Sequence, residues 1–79
     1  MGQLVSKPQP SDIQRLVTYY LDLNNIPGEV RCIGIETIVI DLPIGIYNEQ
    51  EIKDEICIAV YECFKIKAHV DIYQNEYFN

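Results

Sequence analysis

Residues 48–73 read NEQEIKDEICIAVYECFKIKAHVDIY, and two different hydrophobic periodicities follow one another within this stretch. From residue 66 onward apolar and polar residues alternate, as they do on a half-buried strand. The stretch therefore predicts an amphipathic helix that runs directly into a strand. The core-facing stripe predicted for the helix has three- and four-residue spacing and consists of Ile52, Ile56, Ala59, Val60 and Cys63.

Both predicted helices carry N-terminal signals. Asn48 can accept hydrogen bonds from the first turn of the long helix, and Glu51 completes a capping-box pattern while placing negative charge at the positive end of the helix dipole. Near the start of the chain, Ser11 follows Pro10 and is predicted to open an earlier helix, with Gln14 as its capping-box partner. This first helix is amphipathic and about a dozen residues long.

The segment between the helices is rich in β-branched residues. Pro27 and Gly28 predict a turn, since proline fixes φ and glycine permits a positive φ. Gly34 interrupts the strand pattern of residues 30–42, so these residues form either a hairpin of two short strands or one long strand with a bulge. The hairpin is the favoured interpretation. Its second strand, within residues 36–42, is apolar on both faces and belongs in the middle of a sheet or at a contact.

The order α-β-β-α-β predicts a two-layer α+β domain, in which two helices pack on one face of a small three-stranded sheet. The second and third strands should be parallel, because a helix connects them. Residues 1–10 contain two prolines and no helical pattern, which indicates a leader or a short edge strand. Residues 11–79 then form the single compact domain.

Size and charge restrict the function. With 79 residues the chain can build one small core, which leaves little room for an enclosed cofactor, and we expect none. Twelve acidic against six basic residues give a net charge of −6, which disfavours direct nucleic-acid binding and favours partners with basic surfaces. A small core also favours self-association, so a homo-oligomer is expected.

The polar and nucleophilic residues do not form a recognisable active site. Cys32, Cys57 and Cys63 are odd in number and are predicted to be reduced core thiols, which is typical of a cytoplasmic protein. His69 falls on the polar side of the last strand, so a metal site lacks ligands at recognisable spacing. No nucleophile stands with a base and an orienting group, and no glycine-rich phosphate loop is present. The sequence predicts a protein that is not an enzyme.

The first residues suggest a second possibility. They match the pattern M-G-x-x-x-S, and together with Lys7 they resemble the acylated leaders of Src-type kinases. The resemblance covers eight residues and implies N-myristoylation of Gly2, with Ser6 and Lys7 as the other residues of the signal. In this alternative the protein is an adaptor anchored at the membrane periphery. The competing interpretation is an unmodified leader that pairs as an edge strand or frays.

The strongest surface feature lies on the long helix, opposite its core stripe. Ile58 and Tyr61 are large apolar residues in an acidic field, which solubility does not require. They can be solvated singly, or they can form a contact site for a partner with an apolar slot and a basic rim. We therefore predict a small acidic interaction module, an adaptor or inhibitor that occupies a surface, of the kind that viruses and phages encode as accessory proteins. The predicted partner-binding residues are Ile58, Tyr61, Glu55, Glu62 and Asp54.

Overall fold

The computed structural model describes residues 8–76, which form two helices and a three-stranded mixed sheet. This is the small α+β domain that the sequence predicts. The two helices pack on one face of the sheet, α1 over β1 and α2 over β3, and they also contact each other. In chain order the elements are α1 (Pro10–Leu23), β1 (Glu29–Ile33), β2 (Thr37–Leu42), α2 (Glu49–Phe64) and β3 (His69–Gln74).

The sheet has the order β1-β2-β3, with β2 in the centre. β1 and β2 form an antiparallel hairpin, and Gly34 lies in its turn with φ at +73°, a conformation that glycine adopts without a steric penalty. The hairpin interpretation is therefore confirmed. β3 lies parallel to β2, as expected for strands joined by a helix.

The core lies between the helices and one face of the sheet. Each side chain that is fully buried there contributes roughly 1.5–3 kcal/mol by leaving water. On α2 the buried stripe is Ile52, Ile56 and Val60, which confirms the predicted rotation of the helix. The remaining buried members of the core are Ile13, Val17 and Leu21 of α1, and Val30, Ile38, Ile40, Leu42 and Val70 of the sheet.

The opposite face of the sheet is not covered by either helix. Val39 is 6% exposed at its centre, with Arg31 and Asp71 as its cross-strand neighbours. Arg31 Nε lies 3.0 Å from Asp41 Oδ2, and His69 Nε2 lies 3.0 Å from Asp71 Oδ1. On this face β2 therefore carries one apolar residue, Val39, between Thr37 and Asp41, so the prediction that β2 is apolar on both faces holds only at its centre.

The predicted cap of α1 was wrong by two residues. The helix begins at Pro10, and its cap is Gln9, whose backbone N–H donates to Asp12 Oδ2 at 2.8 Å. Proline is well suited to the first helical position, because the N–H that it lacks would have no partner within the helix. Asp12 therefore has the role that the sequence analysis gave to Gln14, and Ser11 lies inside the helix.

α2 begins as predicted but ends differently. The backbone N–H of Glu51 donates to Asn48 Oδ1 at 3.2 Å, which confirms the cap. Cys63 is exposed, which contradicts its assignment to the buried stripe, and Phe64 packs against the core instead. Ala59 is half-buried. Because Lys65 is left-handed at φ +60° and ends the helix, residues 65–68 form a connection, and β3 starts later than the alternation from residue 66 predicted.

Candidate partner-binding groove between α2 and β3

The C-terminal half of α2 and the connection to β3 enclose a shallow groove of about 370 Å³. The groove exists because the left-handed Lys65 ends the helix and turns the chain back beside it. We call it the α2–β3 groove. Its lining consists of Cys57, Ile58, Tyr61 and Glu62 from α2 and of Lys67 and Ala68 from the connection.

Two large apolar side chains give the groove its character. Ile58 is 57% exposed and Tyr61 is 47% exposed. They are three residues apart on α2, so they are neighbours on its surface. The Lys65 ammonium lies 5.5 Å from the centre of the Tyr61 ring, a distance at which a cation is attracted to the ring face. The groove therefore offers one aliphatic and one aromatic side chain to a partner.

Cys57 connects the helix to the other wall of the groove. Its Sγ donates a hydrogen bond to the Ala68 carbonyl at 3.4 Å. Burial, and to a smaller degree the charge of Asp54, raises the pKa of the Cys57 thiol. A thiol with a raised pKa stays protonated at neutral pH and is a poor nucleophile. Cys57 thus serves the groove as a neutral, small apolar residue.

The structure brings three of the five predicted site residues together. Ile58, Tyr61 and Glu62 line the groove, whereas Asp54 and Glu55 lie outside its lining. Asp54 accepts a hydrogen bond from Gln50 Nε2 at 2.9 Å.

Glu55 is directed towards the other helix. The hydroxyl group of Tyr20 of α1 donates a hydrogen bond to Glu55 Oε1, with 2.5 Å between the two oxygens. Burial, followed by the hydrogen bond to Glu55 and the charge of Glu55, raises the pKa of Tyr20. Glu55 therefore links the two helices and does not form part of the rim of the groove.

Sequence analysis missed three lining residues. Cys57 was assigned to the core, and Lys67 and Ala68 were assigned to the strand, although they precede it. A signal was available in Lys65 and its neighbours, because a strand predicted to follow a helix needs a connection that reverses the chain. The residues of that connection necessarily lie beside the last turns of the helix.

Residues 8–76 contain no group of three or more His, Cys, Asp or Glu side chains that could hold a metal ion. Within the same residues, no helix is long and apolar enough to cross a membrane. The predicted acylation signal, Gly2 with Ser6 and Lys7, lies outside the described residues. Acylation of Gly2 stays a prediction, and a myristoyl mass shift in the native protein would establish it.

Neither a protein-family model, a curated protein nor a solved structure matches the chain.

Proposed function

We propose that this protein is a small acidic interaction module that works without catalysis, as an adaptor or inhibitor, by binding a partner protein in the α2–β3 groove. One observation carries the proposal: Ile58 and Tyr61, both about half exposed, line the same groove. Tyrosine is enriched among the residues that dominate protein interfaces, since it buries a large ring and retains a hydroxyl group for hydrogen bonding.

Charge indicates the kind of partner. The chain carries a net charge of −6, while the lining of the groove itself holds one carboxylate, Glu62, and one ammonium group, Lys67. Such a net charge attracts proteins with a basic rim and repels nucleic acids and anionic lipid. A second copy of this chain is a partner of the same class if it uses Ile58 and Tyr61. A cytoplasmic location belongs to the same proposal, because all three cysteines are free thiols.

Site-specific photo-cross-linking in the cell of origin tests the proposal. Tyr61 is replaced by benzoylphenylalanine, and Tyr19 is replaced in the same way in a matched control. Tyr19 is 60% exposed, but it lies on α1 and outside the lining of the groove. We expect a discrete protein adduct from position 61 and none of the same mass from position 19. Adducts from position 19 alone, or no adduct from either, would show that the groove is not the binding surface.

A further inference from the structure

Among residues 8–76, the outer edge of β3 has backbone groups that no other strand pairs with. The His69 N–H donates to the Glu36 carbonyl at 2.7 Å, and the Asn75 N–H donates to the Leu42 carbonyl at 2.9 Å. Because backbone groups alternate in direction along a strand, Val70 and Ile72 must direct their N–H and C=O groups away from β2. Within residues 8–76 no segment pairs with them. An edge of this kind is a template for another strand.

The helix layer is wider than the sheet beneath it. Neighbouring strands are about 4.8 Å apart, so β3 lies about 5 Å from the centre of the three-stranded sheet. Two packed helices, with axes about 8–10 Å apart and diameters of about 10 Å, extend roughly 10 Å to each side of the same centre. Since α2 lies over β3, it overhangs the edge by about the width of one strand.

The α2–β3 groove lies at the end of this overhang where β3 begins, because Lys67 and Ala68, which precede β3, form its wall opposite α2. The bond from Cys57 Sγ to the Ala68 carbonyl identifies the side of α2 that faces the β3 edge. Tyr61 follows Cys57 after four residues and therefore lies on the same side of the helix. An additional strand along β3 would place alternate side chains next to Val70 and Ile72. Where it continues past His69 towards Lys67, it would reach the groove that Cys57 and Tyr61 line.

The overhang distinguishes between two occupants of the edge. If the β3 strands of two copies paired, their α2 helices would lie about 5 Å apart, because each helix covers its own β3. Packed helices need about 8–10 Å between their axes. A single extended segment without a helix above it fits the space, whereas a second copy of β3 does not.

Charge determines which side chains the segment should carry on the face that points away from the helices. There the neighbours on β3 are His69, Asp71 and Tyr73, and the side chain of Asp71 is 37% exposed. A lysine or arginine opposite Asp71 would form a favourable cross-strand pair, while an acidic residue would be repelled by Asp71 and by the net charge of −6.

We propose that the α2–β3 groove binds an extended segment of a partner protein, which adds to β3 as a fourth strand and alternates apolar with basic side chains. This inference rests on the proposed function and specifies the chemistry of the partner. The backbone of Val70 and Ile72 supplies the hydrogen bonds, and the groove selects the apolar side chains, as in other cases of strand addition.

The test uses the peptide acetyl-Thr-Val-Lys-Val-Arg-Val-Thr-amide, titrated to millimolar concentration into the isotopically labelled full-length protein and followed by NMR. We expect the amide signals of Val70 and Ile72 to shift and their hydrogen exchange to slow. A peptide with glutamate in place of both basic residues should bind about tenfold more weakly or worse.

Two variants at one position isolate the backbone contribution. Ile72→Pro removes the backbone N–H of residue 72, which points away from β2 and is not bonded to it. Ile72→Ala shortens the same side chain but keeps this N–H. Ile72→Pro should bind the peptide about tenfold more weakly than Ile72→Ala, provided that both retain the native amide spectrum of β2. If Ile72→Pro has lost that spectrum, the shift and exchange data of the unsubstituted protein decide.

The outcomes separate this inference from the proposed function. Signal changes confined to other surfaces, no change at millimolar peptide, or equal binding by the two variants would overturn strand addition. Amides of Val70 and Ile72 that are already protected in the free protein would also overturn it, since another part of the chain or a second copy would then occupy the edge. If position 61 still cross-links to a partner, the groove remains the binding surface although strand addition is wrong.

Discussion

The two edges of the sheet are built alike but present different surfaces. Each edge strand lies beneath a helix, β1 under α1 and β3 under α2. On α1, the side opposite the Tyr20 contact with α2 carries exposed polar residues such as Gln14 and Thr18. On α2, the side over β3 carries Cys57 and Tyr61. Polar residues are sufficient at the first edge, so folding alone does not demand an apolar flank at the second.

The first prediction separates stability from binding on α2. Ile56 is 1% exposed, and Ile56→Ala should lower the free energy of unfolding by about 2–5 kcal/mol, because it removes buried methyl groups and leaves a cavity. Tyr61→Ala, and Thr18→Ala at the other edge, should each cost less than about 1 kcal/mol. Urea denaturation measures all three. A cost for Tyr61→Ala as large as that for Ile56→Ala would mean that the apolar flank serves folding.

The second prediction concerns the hydrogen bond between Tyr20 and Glu55, which links the two helices above the sheet. Tyr20→Phe removes the hydrogen bond to Glu55 and should lower the free energy of unfolding by about 0.5–1 kcal/mol at neutral pH. Denaturant unfolding of the two proteins measures the difference.

The same contact predicts a pH dependence. Because burial and Glu55 raise the pKa of Tyr20 in the folded protein, its contribution is fully present below the ordinary tyrosine pKa of about 10 and is lost as pH rises above that value. The alkaline loss of stability should therefore be smaller in Tyr20→Phe. Identical alkaline profiles for the two proteins would refute the assignment.

Local patterns in the sequence predicted the elements of the fold. The change of period after α2 gave the helix and strand types, Gly34 gave the hairpin, and Asn48 gave the cap of α2. The exposure of Ile58 and Tyr61 followed from the same helical projection. These features depend on neighbours within a few residues, which the sequence shows directly.

Features that depend on packing between elements could not be predicted in this way. Cys63 has the correct spacing for the core stripe, but it is exposed, and Phe64 packs against the core. Glu55 looks like a solvated carboxylate until α1 brings Tyr20 to it. Ala68 joins the groove because the chain reverses at Lys65. Helical periodicity does not show that reversal, although the predicted succession of helix and strand requires one.

Hydrogen exchange of the free full-length protein, measured by NMR at low micromolar concentration, tests most directly whether the β3 edge is open for a partner. The N–H groups of Asp71 and Tyr73 point towards β2, so they should be protected, whereas those of Val70 and Ile72 should exchange rapidly. This alternation along a single strand is the predicted result. Equal protection of all four amides would contradict the account, because the edge would then already be paired.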